Sequence, residues 1–194
     1  MTQQEKSYKT IVIGVSAGGL EALSAILPAL PQDFSMAVAV VQHMKEDGDN
    51  YLPEYLNRKC RLNVLEAKEK YSLKSGSVFI APPGYHLLIE RDSTLSLTVD
   101  PPVCYSRPSI DVLFETAADA YGQSLIGVVL TGANSDGSKG LKKIRKKGGL
   151  AIVQKPDTAE AQAMPSSAIE IAGADHILPL TGIGPFLKEL GRIK

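Results

Sequence analysis

Three segments of the sequence carry residue types that suit acyl transfer. Ser16 lies in a Gly-Val-Ser-Ala-Gly segment, which matches the pattern G-x-S-x-G. His43 follows the apolar run 36–41, and Asp136 precedes a glycine shortly after another apolar run. A serine hydroxyl attacks an acyl carbon once a base removes its proton, an imidazole titrates near neutral pH, and a carboxylate fixes the imidazole tautomer. The residue types are therefore those of a Ser-His-Asp hydrolase.

Hydrophobic patterns predict the elements that position these residues. A β-branched run at 10–13, a helical segment at about 20–30 and the run 36–41 form the strand-helix-strand pattern of a parallel sheet. These strands are continuously apolar, as burial on both faces requires. Further strands are predicted at 78–81, 124–130, 150–153 and 176–178, and further helices at 51–58, 109–121, 139–147, 166–172 and 184–190.

A hairpin and a short tail complete the predicted organisation. The segments 86–90 and 94–99 flank Arg91-Asp-Ser and predict an antiparallel hairpin beside the parallel sheet. No internal repeat or linker divides the chain. We therefore expect a polar tail at 1–8 and one three-layer α/β/α domain at 9–194, with helices on both faces of the sheet.

The predicted fold brings the three candidate residues together. Ser16, His43 and Asp136 each follow a predicted strand, and the carboxyl ends of parallel strands meet at one edge of a sheet. The small residues around Ser16 allow a sharp turn into a helix, whose first amide groups suit an oxyanion. The chain order Ser, His, Asp differs from the Ser, Asp, His order of α/β-hydrolases, so the pattern indicates another scaffold.

A glycine-rich first β–α turn also suits a phosphate or a dinucleotide. The spacing is not G-x-G-x-x-G, and Gln42 and His43 stand where an acidic ribose ligand would end the second strand. Taken singly, a histidine at a strand end is more often structural, and an aspartate before glycine more often caps a helix or turn. The convergence of Ser16, His43 and Asp136 at one edge of the sheet favours a catalytic site. The alternative is a non-catalytic module that binds a phosphate or a nucleotide.

Composition and charge limit the classes of function. The chain has 21 basic and 21 acidic residues, and a formal net charge of 0 provides no field that attracts nucleic acid or an anionic membrane. Cys60 and Cys104 lie far apart without a C-x-x-C neighbour, which argues against a zinc site and predicts reduced thiols. Neither a signal peptide nor a transmembrane run is visible. We therefore expect a cytoplasmic protein without bound metal, nucleic acid or membrane insertion.

Motifs spread over nearly the whole chain resemble the catalytic domain of the chemotaxis protein-glutamate methylesterases, the CheB type. They are Ile-Gly-Val-Ser-Ala-Gly-Gly at 13–19, Val-Gln-His-Met at 41–44, Phe-Ile-Ala-Pro-Pro-Gly at 79–84 with His86, Arg-Pro-Ser-Ile-Asp-Val-Leu-Phe at 107–114, Leu-Thr-Gly at 130–132 with Asp136-Gly137, and Ala-Met-Pro-Ser-Ser-Ala at 163–168. The resemblance implies a doubly wound, mostly parallel α/β/α sandwich. It also implies a triad of Ser16, His43 and Asp136.

The same resemblance implies a reaction and a partner. The reaction is hydrolysis of γ-glutamyl methyl esters on methylated chemoreceptor cytoplasmic helices, with release of methanol, and some members also deamidate glutamine. No cofactor is implied. Backbone amides near Ala17, Gly18 and Ala133 are expected at the oxyanion, and His86 and Arg107 are candidate pocket residues. The rival enzyme is a serine esterase acting on another protein or on a small-molecule ester.

Two features depart from the family pattern. Ala133 stands where the family often has methionine, which changes the expected pocket lining. Only a short polar tail precedes the first strand, where typical members carry a receiver domain. The chain is then a stand-alone esterase, a fragment, or an enzyme controlled through a partner such as a separate receiver or methyltransferase protein. The basic stretch 142–147 fits either contact with acidic receptor helices or a solvated helix face.

Overall fold

The computed structural model describes residues 7–44 and 51–192, so most of the predicted tail at 1–8 lies outside the described residues. The strands within these ranges are β1 Thr10–Val15, β2 Ala37–Gln42, β3 Asn63–Glu66, β4 Ser77–Ile80, β5 His86–Ile89, β6 Leu95–Thr98, β7 Leu125–Val129, β8 Leu150–Gln154 and β9 His176–Leu178. The α-helices are α1 Gly19–Ile26, α2 Leu52–Asn57, α3 Ile110–Tyr121, α4 Ser138–Lys146, α5 Ala163–Ala172 and α6 Leu180–Leu190. None of these helices is long and apolar enough to cross a membrane.

Seven of the strands form one sheet in the order β3-β4-β2-β1-β7-β8-β9. Every described pair within this sheet is parallel. From the central β1 the chain adds β2, then the edge strand β3, and then β4 between β2 and β3. It then crosses to the other side of β1 to add β7, β8 and β9 in turn. The predicted doubly wound sheet is confirmed, and β1 lies beside the point where the winding reverses, which is where such sheets bind ligands.

The central strand supplies side chains to two cores, one on each face of the sheet. Ile11, Ile13 and Val15 pack against α1 and α6, whereas Val12 packs with α3, α4 and α5. All four side chains are fully buried. Each such burial contributes about 1.5–3 kcal/mol relative to an exposed side chain. The continuously apolar pattern of the strand thus reflects helices on both faces, as predicted.

A glycine in β1 allows the start of α3 to approach the sheet closely. A Cβ atom at Gly14 would lie 2.2 Å from Ile110 Cγ2, which is well inside van der Waals contact. Ile110 is the first residue of α3 and is fully buried. The absence of a side chain at Gly14 therefore brings the amino terminus of α3 to the carboxyl edge of the sheet, beside Ser16.

The antiparallel hairpin is a separate sheet of two strands, β5 and β6. It packs on α3 through the apolar side chains of Leu87, Ile89 and Leu95. The backbone N–H of Ile89 also donates to the hydroxyl of Thr116, at 3.2 Å. The hairpin therefore covers the outer side of α3 and does not extend the main sheet.

The predicted element boundaries differ from the structure mainly at glycine and proline. The predictions missed β3, a four-residue edge strand with an exposed first residue. α5 begins at Ala163, three residues before the predicted start at 166. Pro165 is tolerated in its first turn, because the N–H that proline lacks would have no helical partner there. α6 begins at Leu180, although Gly182, Gly184 and Pro185 are poor helix formers. Burial of Ile183, Gly184 and Leu187, with Gly184 packed closely on Ile26 and Ala29, outweighs the low propensity of the glycines and the proline.

Candidate active site

The three predicted catalytic residues follow adjacent strands at the carboxyl edge of the sheet. Ser16 comes directly after β1, His43 comes directly after β2, and Asp136 lies between β7 and α4. β1 pairs with both neighbours, with Val15 opposite Gln42 and Gly14 opposite Val129. The parallel register therefore places the three strand ends side by side, as the sequence predicted.

His43 contacts Asp136 directly. Nε2 of His43 lies 2.8 Å from Oδ2 of Asp136, and the two side chains are 11% and 0% exposed. A carboxylate only accepts hydrogen bonds, so Nε2 carries the proton of the neutral ring and Nδ1 keeps its lone pair. Nδ1 of His43 lies 3.5 Å from the side-chain nitrogen Nδ2 of Asn134. The carboxylate thus fixes a tautomer in which Nδ1 is the basic atom.

Asp136 is enclosed by hydrogen-bond donors. Its two oxygens accept from His43 Nε2, Ser109 Oγ and the backbone N–H groups of Ile110, Asp111 and Gly137, at 2.7–3.0 Å. Burial raises the pKa of this carboxyl, but the bonds from His43, Asp111 and Ile110 outweigh it and hold the pKa below the usual aspartate value. The positive end of α3, which begins at Ile110, acts in the same direction. Asp136 is therefore ionised at neutral pH although it is buried.

Two aspartates cap each other's helices in a pair that we call the reciprocal caps. Asp136, which precedes α4, accepts from the first two amides of α3, at Ile110 and Asp111. Asp111, in the first turn of α3, accepts from the amide of Gly140 in the first turn of α4, at 2.7 Å. The first amides of a helix lack intrahelical partners, so each carboxylate satisfies the end of the other helix.

Asp111 differs from Asp136 in its ionisation. Burial raises the pKa of the Asp111 carboxyl to about 6, opposed by the hydrogen bond from Gly140 and assisted by the negative charge of Asp136. Asp111 receives no bond from a histidine, so fewer donors offset its desolvation. The two neighbouring carboxyls therefore have pKa values displaced in opposite directions.

Asp111 is expected to make the folded protein less stable as the pH rises from about 4 to about 6. The folded state keeps the proton up to a pKa of about 6, whereas an unfolded aspartate releases it near ~4. The unfolded state therefore binds fewer protons in this window, and the free energy of unfolding falls by at most roughly 1.4 kcal/mol per pH unit. Urea unfolding at several pH values measures this slope.

The matched variant for this prediction is Asp111→Asn. Its carbonyl oxygen can still accept from Gly140, but it has no carboxyl to titrate. The difference in unfolding free energy between the two proteins should change across the window, with the asparagine variant gaining relative stability towards neutral pH. A difference that stays constant between pH ~4 and pH ~7 would contradict the assigned pKa.

Hydrogen bonds from neighbouring strand ends fix the turn that carries Ser16. The N–H of Ser16 donates to Thr131 O at 2.9 Å, and Ser16 O accepts from the side-chain amide of Gln42 at 2.9 Å. The hydroxyl of Thr131 donates to Ala17 O at 2.8 Å. Gly18 has a φ of 75°, in the left-handed region that favours glycine. The turn therefore has one arrangement, with Ser16 partly exposed above it.

The serine hydroxyl is not engaged by the base in this structure. Within the described part of the chain, Ser16 Oγ forms no hydrogen bond to His43, whose Nδ1 faces Asn134 instead. Catalytic hydrogen bonds often tighten only when substrate binds. In this structure the contact between His43 and Asp136 is therefore formed, whereas the contact between Ser16 Oγ and His43 is not.

The three residues predicted near the oxyanion lie at the site. Ala17 and Ala133 are exposed, and Gly18 is partly exposed beside them. Their backbone N–H groups have no hydrogen-bond partner among residues 7–44 and 51–192. The amide of Gly19, in contrast, donates to Ser16 O at 3.0 Å. The amides of Ala17, Gly18 and Ala133 are therefore available to a ligand, and their role remains a prediction.

The two predicted pocket residues hold the segment before α3. His86 is 1% exposed; its Nδ1 accepts from the N–H of Ser109 at 3.1 Å, and Nε2 lies 3.2 Å from Pro101 O. Arg107 donates to Val99 O at 2.8 Å and to Asp100 O at 3.3 Å. A buried ring with both nitrogens engaged offers no surface to a substrate. The structure therefore places His86 behind the site, where it positions Ser109.

The sequence reasoning did not select several residues that hold the site. Ser109 belongs to the motif at 107–114, where the sequence leaves it either lining the pocket or capping the helix; it is fully buried and donates to Asp136. Thr131 receives a hydrogen bond from Ala161 N and donates to Ala17 O, and its own N–H donates to Gln154 at 2.9 Å. For Thr131 and Gln154, the available signal was a polar residue at or just after the end of a buried strand.

One group near the site has metal-ligating atoms. The ligand atoms of Cys104, Asp111 and Asp136 lie within 4.8 Å of one another. Asp136 accepts five hydrogen bonds, which is more than the roughly four lone-pair sites of a carboxylate. A cation would have to displace the donors that orient the base. The cluster is therefore organised around hydrogen bonding.

Comparison with known proteins decides the family. Residues 11–187 match the family described as CheB methylesterase. The chain belongs to this family. A relative from Leptospira interrogans is 53% identical to this CheB-family chain over 184 residues, which cover 95% of each protein. The crystal structure of the Thermotoga maritima CheB methylesterase catalytic domain matches with a TM-score of 0.90 at 36% identity, and it covers 95% of this chain and 99% of that chain.

Two other relatives of this CheB-family chain are longer proteins. The protein-glutamate methylesterase/protein-glutamine glutaminase of Caldanaerobacter subterraneus is 40% identical over 188 residues, which are 94% of this chain and 51% of that protein. Protein-glutamate methylesterase FrzG of Myxococcus xanthus is 36% identical over 182 residues, which are 94% of this chain and 54% of that protein. The resemblance inferred from the motifs is confirmed, and the chain is a CheB-type methylesterase domain.

Proposed function

We propose that this chain hydrolyses γ-glutamyl methyl esters in the cytoplasmic domains of chemoreceptors, with Ser16 as nucleophile, His43 as base and Asp136 as the residue that orients the base. The observation that carries the proposal is the 2.8 Å contact between His43 and the buried Asp136, beside Ser16 on the neighbouring strand end. A phosphate-binding turn needs no such pair. The family supports ester hydrolysis, and the geometry supports the assignment of roles.

The first half of the reaction transfers the acyl group to the enzyme. Ser16 Oγ attacks the ester carbonyl carbon while Nδ1 of His43 takes the hydroxyl proton. The carbonyl oxygen becomes an anion, which the amides of Ala17, Gly18 or Ala133 stabilise by donating hydrogen bonds. When the intermediate collapses, the C–O bond to the methoxy group breaks and His43 returns the proton. The products are methanol and a glutamyl ester of Ser16.

The second half restores the enzyme. His43 removes a proton from water, and the resulting hydroxide attacks the acyl carbon. Collapse of this second intermediate breaks the bond to Ser16 Oγ, which recovers its proton from His43. The products are a free glutamate and the starting enzyme. The ionised Asp136 stabilises the imidazolium form of His43 that exists between the two proton transfers of each half.

The same site is proposed to accept a glutamine side chain. Attack on an amide passes through the same oxyanion, and ammonia leaves in place of methanol. Relatives carry both activities in their names, as in the protein from Caldanaerobacter subterraneus. The cytoplasmic setting follows from the proposed substrate, and the free thiols of Cys60 and Cys104 are compatible with it.

The experiment that tests the proposal measures methanol released from a methylated chemoreceptor cytoplasmic fragment and compares it with hydrolysis of p-nitrophenyl acetate. We expect kcat/KM to favour the receptor fragment. Preference for the small ester would support the rival small-molecule esterase. Labelling with a fluorophosphonate should modify Ser16, and a chain that hydrolyses neither substrate and takes up no label would be a binding module instead.

A further inference from the structure

α4 carries an unusually dense set of basic residues. The helix contains Lys139, Lys142, Lys143, Arg145 and Lys146, and Lys147 directly follows its last residue. Three of them form ion pairs with two aspartates outside the helix. Lys143 and Lys147 pair with the two oxygens of Asp119 at 2.6 and 3.2 Å, and Arg145 pairs with Asp175 at 3.2 Å. The positive charges of α4 therefore have acidic partners on only part of the helix surface.

The other three lysines form what we call the lysine row: Lys139, Lys142 and Lys146. All three are exposed, and none has an ion pair within the described part of the chain. Their spacing of three and four residues places them on one face of the helix. At 1.5 Å per residue, the row extends about 10 Å, or two helical turns. It presents three positive charges in a line.

The lysine row starts at the candidate active site. Lys139 stands three positions after Asp136, in the first turn of α4. It is close enough to interact electrostatically with the Cys104 thiol, whose sulfur lies within 4.8 Å of an Asp136 carboxylate oxygen. A cation in the first turn opposes the helix dipole, so Lys139 does not serve the stability of α4.

An exposed aromatic side chain stands next in sequence to Cys104, the residue whose thiol Lys139 influences. Tyr105 follows Cys104 directly in sequence, and its side chain is fully exposed. Val103, on the other side of Cys104, is 37% exposed. Both belong to the segment that Arg107 ties down through Val99 and Asp100. The edge of the site thus combines an exposed aromatic side chain with three cations that form no ion pair among the described residues.

We propose that the lysine row and Tyr105 form the docking surface for an acidic helix of the protein substrate, which lies along α4 and presents its target glutamyl group to Ser16. This inference rests on the proposed function. Hydrolysis turns a neutral glutamyl ester into a carboxylate, so a segment with several target positions is glutamate-rich in its unmodified form. Glutamates spaced three and four residues apart on a helix match the spacing of the lysine row.

The proposed surface governs recognition of the protein substrate, because complementary charges raise the encounter rate and select the partner. Ester chemistry at Ser16 does not require it. A small ester reaches Ser16 without lying along α4. The ratio of kcat/KM values for the receptor fragment and for p-nitrophenyl acetate therefore isolates the contribution of the row.

The experiment uses the full chain with Lys139, Lys142 and Lys146 all replaced by glutamate. We expect the ratio of kcat/KM for the methylated receptor fragment to that for p-nitrophenyl acetate to fall roughly ten-fold or more. The receptor kcat/KM of the wild type should also fall as salt rises, and this dependence should weaken in the variant. Tyr105→Ser should lower the same ratio by a smaller factor.

The matched control reverses three exposed lysines near the amino edge of the sheet, Lys9, Lys59 and Lys74, which changes the net charge by the same amount. This control should keep the wild-type ratio. A second row variant with glutamine at all three positions tests the effect without added negative charge. An unchanged ratio in the row variants, or an equal loss in the control, would overturn the docking surface.

Different experimental results would contradict the docking surface and the proposed function. A wild-type chain that releases no methanol from the receptor fragment lacks the proposed activity, and the docking inference falls with it. A wild type that is active on the receptor, together with row variants of unchanged ratio, removes only the docking surface. Equal losses on both substrates would assign the lysines a structural role and would also contradict the inference.

Discussion

Ser16→Ala is expected to lower methanol release by roughly 10³-fold or more, because the variant has no atom that can form the acyl intermediate. Its stability should stay close to that of the wild type. Ser16 Oγ makes no hydrogen bond within the described residues, and the bonds of the Ser16 backbone to Thr131 and Gln42 do not involve the hydroxyl. The loss should therefore appear in kcat, without a shift in thermal unfolding.

The control for this variant is Ser135→Ala. Ser135 is an exposed serine that neighbours Asp136, and its hydroxyl takes part in no described hydrogen bond. Removal of the Ser135 hydroxyl should leave the rate of methanol release unchanged. The measurement is methanol production from the receptor fragment, with thermal unfolding of each protein alongside. Release at the wild-type rate from Ser16→Ala would remove Ser16 as the nucleophile.

Asp136→Asn should lower kcat by about 10²–10⁴-fold and should also destabilise the fold, in contrast to Ser16→Ala. Three donors converge on Oδ1, so the asparagine oxygen is expected to take that position. Its NH₂ group then faces His43 and the N–H of Ile110. The NH₂ group donates to His43 and inverts the tautomer, so Nδ1 carries the proton and can no longer act as a base.

The loss of stability in Asp136→Asn has a separate cause. The buried N–H of Ile110 would face another donor, and an unsatisfied buried donor costs about 1–3 kcal/mol. Thermal unfolding and kcat should therefore both change, with a smaller effect on KM. The control is Asp33→Asn, which alters an exposed aspartate far from the site in sequence. Wild-type kcat in Asp136→Asn would refute its role in orienting His43.

The fold was largely predictable because its strands are buried on both faces. The run 10–13 predicted β1, and the observed strand continues to Val15. β3 escaped prediction, because an edge strand of four residues with an exposed start has no continuous apolar pattern. α6 was predicted too short, since intrinsic propensity at Gly182 and Pro185 opposes a helix that tertiary burial stabilises.

The meeting of the proposed triad residues at one sheet edge could be predicted from strand ends, whereas the network that supports them could not. Ser16, His43 and Asp136 follow strands whose order can be inferred, so their meeting at one edge is a property of the topology. Ser109 and Asp111 stand more than 20 positions before Asp136 in the chain. Nothing in local pattern shows that the start of α3 will meet this loop. That contact depends on the close approach that Gly14 allows.

The reciprocal caps bear on how the site works during turnover. Peptide N–H groups cannot rotate away from Asp136 without unwinding the start of α3, and α4 is fixed to the same helix through Asp111 and Gly140. The dipoles that face the carboxylate are therefore already oriented before substrate arrives. The enzyme incurs their ordering cost once, at folding. In the proposed reaction, charge on His43 is created twice and removed twice per cycle, and these changes proceed without reorganisation of the surrounding dipoles.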